Sequence, residues 1–218
     1  MSEINLLEEM PYTKRNYDAR EAEKTPEIVA IAKKFGEEFF DGERKYGYGG
    51  YRYDGRWKPV VRKLCEHYKL PSDARILDVG CGKGFMLHDF KEYMPDCEVA
   101  GVDVSQYAIH HAMESVQPFL LNTSAESLPY ADNSFDLVIS INTIHNLPVE
   151  RLKVALKEIQ RVSKGHSFVT LDAWRNEKEK ENLYKWVLTA ETMMAVEDWE
   201  TLFREVGYTG DYWWFIAN

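Results

Sequence analysis

An aspartate and three closely spaced glycines form the clearest chemical signal in this sequence: Asp78, Gly80, Gly82 and Gly84. The apolar run before them is typical of a buried parallel strand, and a helix should follow the glycine turn. Because glycine has no Cβ atom, a ligand can approach the backbone closely at this turn. The first N–H groups of the following helix have no partner within that helix and would face the ligand. We therefore predict that a nucleoside-like cofactor binds here.

The spacing of the glycines separates this turn from two common phosphate-binding loops. A dinucleotide-binding turn has the form G-x-G-x-x-G, but Phe85 stands where the third glycine is required. A P-loop ends in Lys followed by Ser or Thr, whereas Lys83 is followed by Gly84. The carboxylate of Asp78 would repel a pyrophosphate and could attract an ammonium group. Cys81 lies inside the turn, where we expect its small size to be what matters.

A second carboxylate, that of Asp103, follows the next apolar stretch of the chain. An acidic residue at the end of the second strand can accept hydrogen bonds from both ribose hydroxyls of a nucleoside. The alternative is a helix N-cap, a role that either Asp103 or Ser105 could fill. We favour the ribose role for Asp103 and place Val104 beside it in the cofactor site.

Two strings of residues carry a resemblance to a known family. The run ILDVGCGKG over Ile76–Gly84 resembles motif I of the class I S-adenosylmethionine-dependent methyltransferases, and SAESLPYADNSFDLVIS over Ser124–Ser140 resembles a later pattern of the same family. The resemblance implies S-adenosylmethionine as cofactor and S-adenosylhomocysteine as product. Where the family commonly has an aspartate beside the adenine, this chain has Ser124, so Ala125 or Glu126 could contribute instead.

The segment after the fourth predicted strand should lie between cofactor and substrate. Asn142 resembles a family position that touches the methionine end of the cofactor, and His145 matches a histidine frequent in the family there. Imidazole titrates near neutral pH, so His145 is our candidate general base; the alternative is that it only packs at a strand end. Asp172 and Trp174, at the end of the fifth predicted strand, are candidate substrate contacts, with a helix cap as the alternative for Asp172.

Strand and helix patterns alternate along most of the chain. The predicted strands are Arg75–Val79, Glu98–Asp103, Phe119–Leu121, Phe135–Ile141 and Ser167–Asp172, and the predicted helices are Trp57–Tyr68, Phe85–Tyr93, Gln106–Ser115, Val149–Val162 and Asp198–Val206. This alternation predicts an α/β, Rossmann-like class I methyltransferase fold with a mostly parallel sheet of seven strands, or six, flanked by helices. The family usually ends in an antiparallel pair of strands, but Tyr208–Ala217 leaves room for either one long strand or a tight hairpin.

The chain divides into three regions. Residues 1–25 are polar and without pattern, which predicts a flexible arm. Residues 26–56 begin with a predicted helix that ends at Asp41-Gly42 and continue with a segment rich in tyrosine, glycine and arginine. Residues 57–218 form the predicted S-adenosylmethionine-binding domain, with a helical insertion near 175–195.

The tyrosine-rich segment has two interpretations. Glycines permit tight turns and aromatic rings supply rigid walls, so we predict a lid over the active-site cleft; the alternative is a surface loop packed on the core. Tyr46, Tyr48 and Tyr51 are candidate walls of the substrate site. Arg56 could pair with the carboxylate of the cofactor.

Composition narrows the classes of partner. The 218 residues carry a net charge of −9, which argues against a nucleic-acid groove. The three cysteines lack metal-ligand spacing and indicate a reducing compartment, and no His and Asp cluster suggests a metal. No apolar run approaches the length needed to cross a bilayer, and the first ten residues do not resemble a signal peptide. We expect a cytoplasmic monomer or homodimer.

The prediction for function is methyl transfer from S-adenosylmethionine to an oxygen or nitrogen of a small-molecule acceptor, such as a sugar derivative. One alternative is a nicotinamide-dependent oxidoreductase, which the residue Phe85 disfavours. Another is a non-catalytic protein that binds S-adenosylmethionine on the same fold. Binding of S-adenosylhomocysteine separates the first alternative from our prediction, and turnover separates the second.

Overall fold

The computed structural model of the chain describes residues 1–11 and 14–218. The helices are α1 (Tyr17–Glu23), α2 (Pro26–Ala32), α3 (Glu37–Phe40), α4 (Lys58–Tyr68), α5 (Phe85–Tyr93), α6 (Gln106–His110), α7 (Val149–Val162), α8 (Glu177–Trp186) and α9 (Val196–Val206). The strands are β1 (Arg75–Val79), β2 (Glu98–Asp103), β3 (Leu120–Asn122), β4 (Leu137–Ile141), β5 (Ser167–Trp174), β6 (Met194–Ala195) and β7 (Asp211–Ile216).

The seven strands form one sheet in which every recorded pairing is parallel. The order runs β3-β2-β1-β4-β5, with β7 beside β5 and the two-residue β6 pairing with Ala173 and Trp174. The predicted Rossmann-like sheet is therefore confirmed. The last strand, β7, is a single strand parallel to β5 rather than part of the antiparallel pair usual for the family, because α9 lies between β6 and β7 and β7 begins opposite the start of β5.

Apolar residues from both faces of the sheet build two cores. In β1, Leu77 and Val79 contribute to one core and Ile76 to the other, and all three are fully buried. The central strands therefore read as nearly continuous apolar runs, as expected for strands covered on both faces. Packing against both cores fixes the carboxyl ends of the strands, where ligands bind in such sheets.

Several predicted elements have the observed bounds, and others differ. The bounds of β1, β2, α5 and α7 agree with the prediction. The helix predicted over Gln106–Ser115 ends at His110, and the N–H of Met113 bonds to the carbonyl of Lys83 instead of continuing the helix. The strands predicted over Phe119–Leu121 and Phe135–Ile141 are shifted or shortened to Leu120–Asn122 and Leu137–Ile141, and the helices predicted to begin at Trp57 and Asp198 begin at Lys58 and Val196.

The helix predicted to run from residue 26 to Asp41 is divided into α2 and α3, because Phe35 adopts a left-handed φ of 49° and Gly36 follows it. In the predicted helical insertion, α8 ends at Trp186, and the methionine-rich residues after it form an irregular loop and β6.

The beginning of the chain contacts the last strand of the sheet. Ile4 donates its N–H to the carbonyl of Tyr212 at 2.9 Å, and Tyr212 donates to the carbonyl of Ser2 at 3.0 Å. Leu6 is fully buried, and Lys185 of α8 pairs with Asp18 of α1 at 2.6 Å. The backbone contacts with Tyr212 cover the edge of β7. The flexibility of residues 1–25 remains a prediction, and residues 12 and 13 of that region lie outside the described part of the chain.

Within the described residues, none of the helices combines the length and the apolar character that a membrane span requires.

Candidate active site

A cavity of about 400 Å³ lies at the carboxyl ends of the strands. Its size falls in the range of pockets that bind small molecules. The structure brings eleven of the predicted site residues to its walls: Gly80, Gly82, Asp103, Val104, Ser124, Ala125, Asn142, His145, Asp172, Tyr48 and Tyr51. One cavity therefore joins the predicted cofactor positions with most of the predicted substrate positions.

The glycine turn is shaped by close contacts that leave no space for a side chain. Gly80 has a φ of 91°, and a Cβ atom there would lie 2.1 Å from Oγ1 of Thr143. Gly82 also has a positive φ and donates its N–H to Oδ2 of Asp103 at 2.8 Å. This hydrogen bond joins the two sequence motifs that were predicted to hold the cofactor.

Asp103 faces the cavity with both carboxylate oxygens anchored. Its second oxygen accepts the N–H of Ser105 at 2.8 Å, and burial raises its pKa while the two N–H donors oppose the shift. The alternative role of helix cap is filled by Ser105, whose Oγ accepts the N–H of Ala108 at 3.0 Å. Asp103 is thereby free to accept hydrogen bonds from a ligand with its remaining lone pairs.

Asp78 is buried beneath the turn rather than on the cavity wall. Burial, reinforced by the charge of Asp103, raises its pKa to about 8. A carboxyl group with such a pKa is ready to hold a proton in the absence of a cation and to ionise beside one.

Three other residues predicted to bind the cofactor, Gly84, Cys81 and Glu126, lie outside the cavity and contact other residues of the protein. Gly84 supports packing, since a Cβ there would lie 2.7 Å from Val116, and Cys81 packs against Gly101. Glu126 pairs with Arg151 on the surface, and this hydrogen-bonded pair lowers the pKa of Glu126.

Three further predicted residues point elsewhere. Arg56 forms a two-pronged ion pair with Asp54, with Nη2 2.6 Å from Oδ2, and does not reach the cavity. Tyr46 contacts Lys45, whose Nζ lies 4.9 Å from its ring centre. Trp174 packs against Tyr184 with ring centres 6.1 Å apart. The structure therefore gives these three side chains local partners instead of a ligand-facing position.

Asn142 occupies a backbone conformation that few residue types accept. Its φ is 49°, in the left-handed region where asparagine is tolerated. Its Oδ1 accepts the hydroxyl proton of Thr170 at 2.9 Å, and its N–H donates to the same residue. The strand end is thus turned sharply, which brings the following residues over the cavity.

His145 and Asp172 form a buried polar pair. Nδ1 of His145 accepts the backbone N–H of Asp172 at 3.3 Å and lies 3.6 Å from its Oδ1. Burial raises the pKa of Asp172, although the charges of His145 and Arg15 oppose the shift. An imidazole next to a carboxyl group is an arrangement suited to proton transfer.

Aromatic residues of the region 26–56 form a roof over the turn. Tyr51 stacks on Phe85 with ring centres 4.7 Å apart, and Phe40 lies 5.6 Å from Tyr51. Lys83, the only cation inside the glycine turn, is buried and donates to Asp41 at 2.6 Å and to the carbonyl of Tyr51 at 3.1 Å. We call residues 35–51 the roof segment; its opening and closing remain a prediction.

Several residues in or around the cavity were missed from the sequence. Lys83 lies inside the glycine motif and Asn146 directly follows His145, so their positions in the sequence could have identified them. Arg15 and Arg20 lie in a stretch without pattern, and Trp186 lies in the charged insertion, so only the folded chain brings them to the cavity.

One group of potential metal ligands exists in the described residues. Atoms of His88, Asp89 and Glu92 lie within 4.8 Å of one another. Glu92 is paired with Lys58 at 2.7 Å, His88 contacts Ser115 at 2.7 Å, and Asp89 accepts from Tyr53 at 2.6 Å. Protein partners thus already engage each member of this group.

Sheet order, the Cβ-free turn and the carboxylate at the end of β2 define the class of this domain: a Rossmann-like class I methyltransferase fold. Residues 77–171 match a family model described as a methyltransferase domain. This part of the chain therefore resembles a methyltransferase domain, and the match implies S-adenosylmethionine as the cofactor.

Known proteins with similar sequences act on varied acceptors. A tRNA (carboxymethyluridine(34)-5-O)-methyltransferase of Arabidopsis thaliana is 36% identical over 66% of this chain and 34% of its own length. The ubiquinone/menaquinone biosynthesis C-methyltransferase UbiE of Syntrophotalea carbinolica is 36% identical over 51% of this chain and 47% of its own length. The chain thus spans a third to a half of the length of these relatives.

A solved structure extends the likeness beyond the region of the family model. In the complex between the Haloferax volcanii Trm112 methyltransferase activator and a methyltransferase, one chain matches with a TM-score of 0.55 and 16% identity. The match covers 90% of this chain and 77% of that chain. At this identity the likeness shows the fold alone.

The residues present fit the cofactor. Gly80 and Gly82 line the cavity without side chains, and the anchored carboxylate of Asp103 suits the hydroxyls of a ribose. Oδ1 of Asn146, on the cavity wall, is buried and has no hydrogen-bond partner within the described part of the chain. Such an acceptor calls for a donor from a ligand, because an unmade buried hydrogen bond is costly.

Proposed function

We propose that this protein transfers a methyl group from S-adenosylmethionine to an oxygen or nitrogen of a small-molecule acceptor. The observation that carries the proposal is the continuity of one cavity from Gly80 and Asp103 to His145 and Asp172. S-adenosylmethionine supplies a methyl group that its positive sulfur has already activated. What the protein must add is alignment of the acceptor with that group and exclusion of water.

The cofactor is held by residues of β1, β2 and β4. Gly80 and Gly82 let it approach the backbone, Asp103 accepts from the ribose, and Asn142 lies at the methionine end. Ser124 and Ala125 lie on the wall proposed for the adenine. The roof segment covers the turn and keeps water from the reacting atoms.

His145 is proposed as the base that removes a proton from a hydroxyl acceptor. In the observed contact, Nδ1 accepts the N–H of Asp172, so a neutral ring carries its proton on Nε2. If Nδ1–H instead points to Oδ1 of Asp172, now 3.6 Å away, Nε2 is free to take the proton. That change requires the separation to shorten by about 0.5 Å to hydrogen-bond distance. An amine acceptor that is already neutral would not need this step.

A small acceptor is supported by the charge of the chain and the shape of the site. The net charge of −9 is unfavourable for a polyanion such as tRNA, and the roof segment encloses the glycine turn. The relative that acts on tRNA makes RNA an acceptor that the test must include.

The test follows an isotopically labelled methyl group. The purified chain is incubated with labelled S-adenosylmethionine and with separate small-molecule, RNA and protein fractions of a cell extract. We expect label in the small-molecule fraction only, together with formation of S-adenosylhomocysteine. Label confined to RNA or protein would contradict the small acceptor, and the absence of label from every fraction would favour the non-catalytic alternative.

A further inference from the structure

Three arginines converge on one indole at an end of the cavity. Arg15, Arg20 and Arg44 line the cavity together with Trp186. Their guanidinium carbons lie 5.4, 5.8 and 5.4 Å from the ring centre of Trp186, and that of Arg15 also lies 4.5 Å from the ring centre of Phe215. We call these three arginines the cationic cluster.

The cationic cluster forms no ion pair in the described part of the chain, although Glu23 and Asp172 act on it from a greater distance. No carboxylate of residues 1–11 or 14–218 lies within 4.0 Å of any of the three guanidinium groups. Most arginines that lie outside the cavity do form ion pairs, for example Arg62 with Glu9 and Arg75 with Glu98. The lack of a carboxylate partner is therefore a feature of the cationic cluster and is not general among the arginines of this protein.

Backbone contacts account for Arg20 but not for the whole cluster. Arg20 is buried and donates to the carbonyls of Arg44 and Lys45 at 3.0 and 3.2 Å, so it holds two parts of the fold together. Arg44 donates to the carbonyl of Gly47. Within residues 1–11 and 14–218, the guanidinium group of Arg15 forms two ring contacts and no hydrogen bond, although such a group has five N–H donors.

Collecting these charges is unfavourable without a ligand. Burial lowers the pKa of Arg20, and the repulsion of Arg44 lowers it further, against the attraction of Glu23. The pKa of Arg44 is lowered first by burial and then, against the attraction of Glu23, by the charge of Arg15. An anion bound between the three groups would relieve this repulsion.

Strand order separates the cluster from the cofactor. The proposed cofactor residues lie at the ends of β2, β1 and β4, whereas Arg15 lies over Phe215 of β7, on the far side of β5. Between β4, the nearest of these strands, and β7 there are two strand spacings, or about 10 Å. His145 and Asp172 lie between the two ends.

The geometry points to the cationic cluster as the subsite for an anionic oxygen group, a carboxylate or a phosphate, on the methyl acceptor. The planar fork of a guanidinium group matches both groups with paired hydrogen bonds. Bound there, the acceptor would extend from Trp186 toward His145 and the reacting atoms. This inference rests on the proposed methyl transfer, since it names the class of acceptor for that reaction.

The test measures anion binding by calorimetry on the whole chain, alone and saturated with S-adenosylhomocysteine. Inorganic phosphate and malonate serve as the two probes, and they distinguish phosphate from carboxylate recognition. The variants are Arg15→Met, Arg15→Lys and Arg44→Met, with Arg62→Met as the matched control, because Arg62 lies outside the cavity. Arg20 is left unchanged because its backbone contacts make a folding defect difficult to separate from lost binding.

We expect saturable binding of at least one probe to the wild-type chain. Arg15→Met should weaken it about tenfold or more, which is the loss for one charge-assisted contact, and Arg15→Lys should recover part of it. Arg62→Met should bind as the wild type does, and the affinity for S-adenosylhomocysteine should be unchanged in the Arg15 and Arg62 variants.

Two results would overturn the inference. One is the absence of saturable anion binding by a wild-type chain that does bind S-adenosylhomocysteine. The other is a loss of S-adenosylhomocysteine affinity in Arg15→Met, which would assign the cluster to the carboxylate of the cofactor. If the chain binds the anion but not S-adenosylhomocysteine, the proposed function fails while the anion site stands.

Discussion

At the scale of single residues, the carboxylates of this site differ in what holds them. Asp103 is fixed by two backbone N–H donors and faces the cavity, whereas Asp78 is buried beneath the turn. Asp172 is buried beside His145. Three aspartates at the ends of three strands therefore have separate tasks, and each can be tested by itself.

Asp103→Ala should weaken the binding of S-adenosylhomocysteine by roughly 1–3 kcal/mol, because charged hydrogen bonds to the ribose are lost. Calorimetry measures the change directly. Asp96→Ala removes an exposed carboxylate away from the cavity and is the control. An unchanged affinity in Asp103→Ala would remove Asp103 from the cofactor site.

Asp78→Asn should stabilise the ligand-free protein more at higher pH. The pKa of Asp78 is raised from its ordinary value of 3.8 to about 8, so the folded state retains a proton that the unfolded state releases. The contribution to stability from this group is complete below about pH 4 and is lost as pH rises toward about 8. Melting temperatures of both proteins between about pH 5 and about pH 8 measure the effect. A difference that does not grow with pH would show that Asp78 ionises normally.

Asp172→Asn should lower kcat by roughly 100-fold or more with a hydroxyl acceptor, because the neutral amide accepts Nδ1–H of His145 more weakly than a carboxylate and can donate its own N–H to Nδ1 instead. The acceptor is the one found by the labelled-methyl experiment. KM should change little. Asp198→Asn, on the exposed first turn of α9, is the control. Equal kcat values for Asp172→Asn and the wild type would exclude this role.

At the scale of elements, an ion pair between the buried Lys83 and Asp41 attaches the roof segment to the cofactor turn. Lys83 of the turn holds Asp41, which also accepts from Tyr107 and from the backbone of Tyr51. The aromatic stack of Tyr51 on Phe85 closes the same side. Motif and roof are therefore coupled mechanically.

Lys83→Met should loosen the roof segment while the sheet stays intact. Backbone N–H groups such as that of Tyr51, bonded to the carbonyl of Phe40 at 2.8 Å, should exchange with solvent faster than in the wild type. Dissociation of S-adenosylhomocysteine should accelerate as well. Lys164→Met, which breaks the exposed pair with Asp136, is the control. Unchanged exchange at Tyr51 would show that the ion pair does not hold the roof.

The bounds of a helix or strand could be predicted where the local sequence pattern determines them. The bounds of β1 and α7 followed from apolar periodicity, which is a local property. The division between α2 and α3 depends on a left-handed Phe35, and the parallel direction of β7 depends on where α9 packs. Local pattern determines neither of these features.

The site divides in the same way. Gly80, Asp103 and His145 belong to contiguous motifs and were found, while Arg56 was assigned to the cofactor and instead pairs with Asp54. Arg15 reaches the cavity only because the beginning of the chain lies along β7. Contacts between residues distant in sequence carry no signal in a single chain.

At the scale of the whole molecule, the proposed functional residues lie together at the carboxyl ends of the strands. The cofactor positions lie over β2, β1 and β4, the polar pair lies over β4 and β5, and the cationic cluster lies over β5 and β7. An acidic protein thus presents a cavity with a cationic end, a distribution that attracts a small anion into the site.

The most direct test of the central claim is calorimetric titration of the wild-type chain with S-adenosylhomocysteine, followed by titration with NADH. Binding at the carboxyl edge of the sheet predicts one saturable site for S-adenosylhomocysteine and no saturable heat with NADH. If S-adenosylhomocysteine produced no saturable heat, or if NADH bound and displaced it, the assignment of this cavity to a methyl donor would be contradicted.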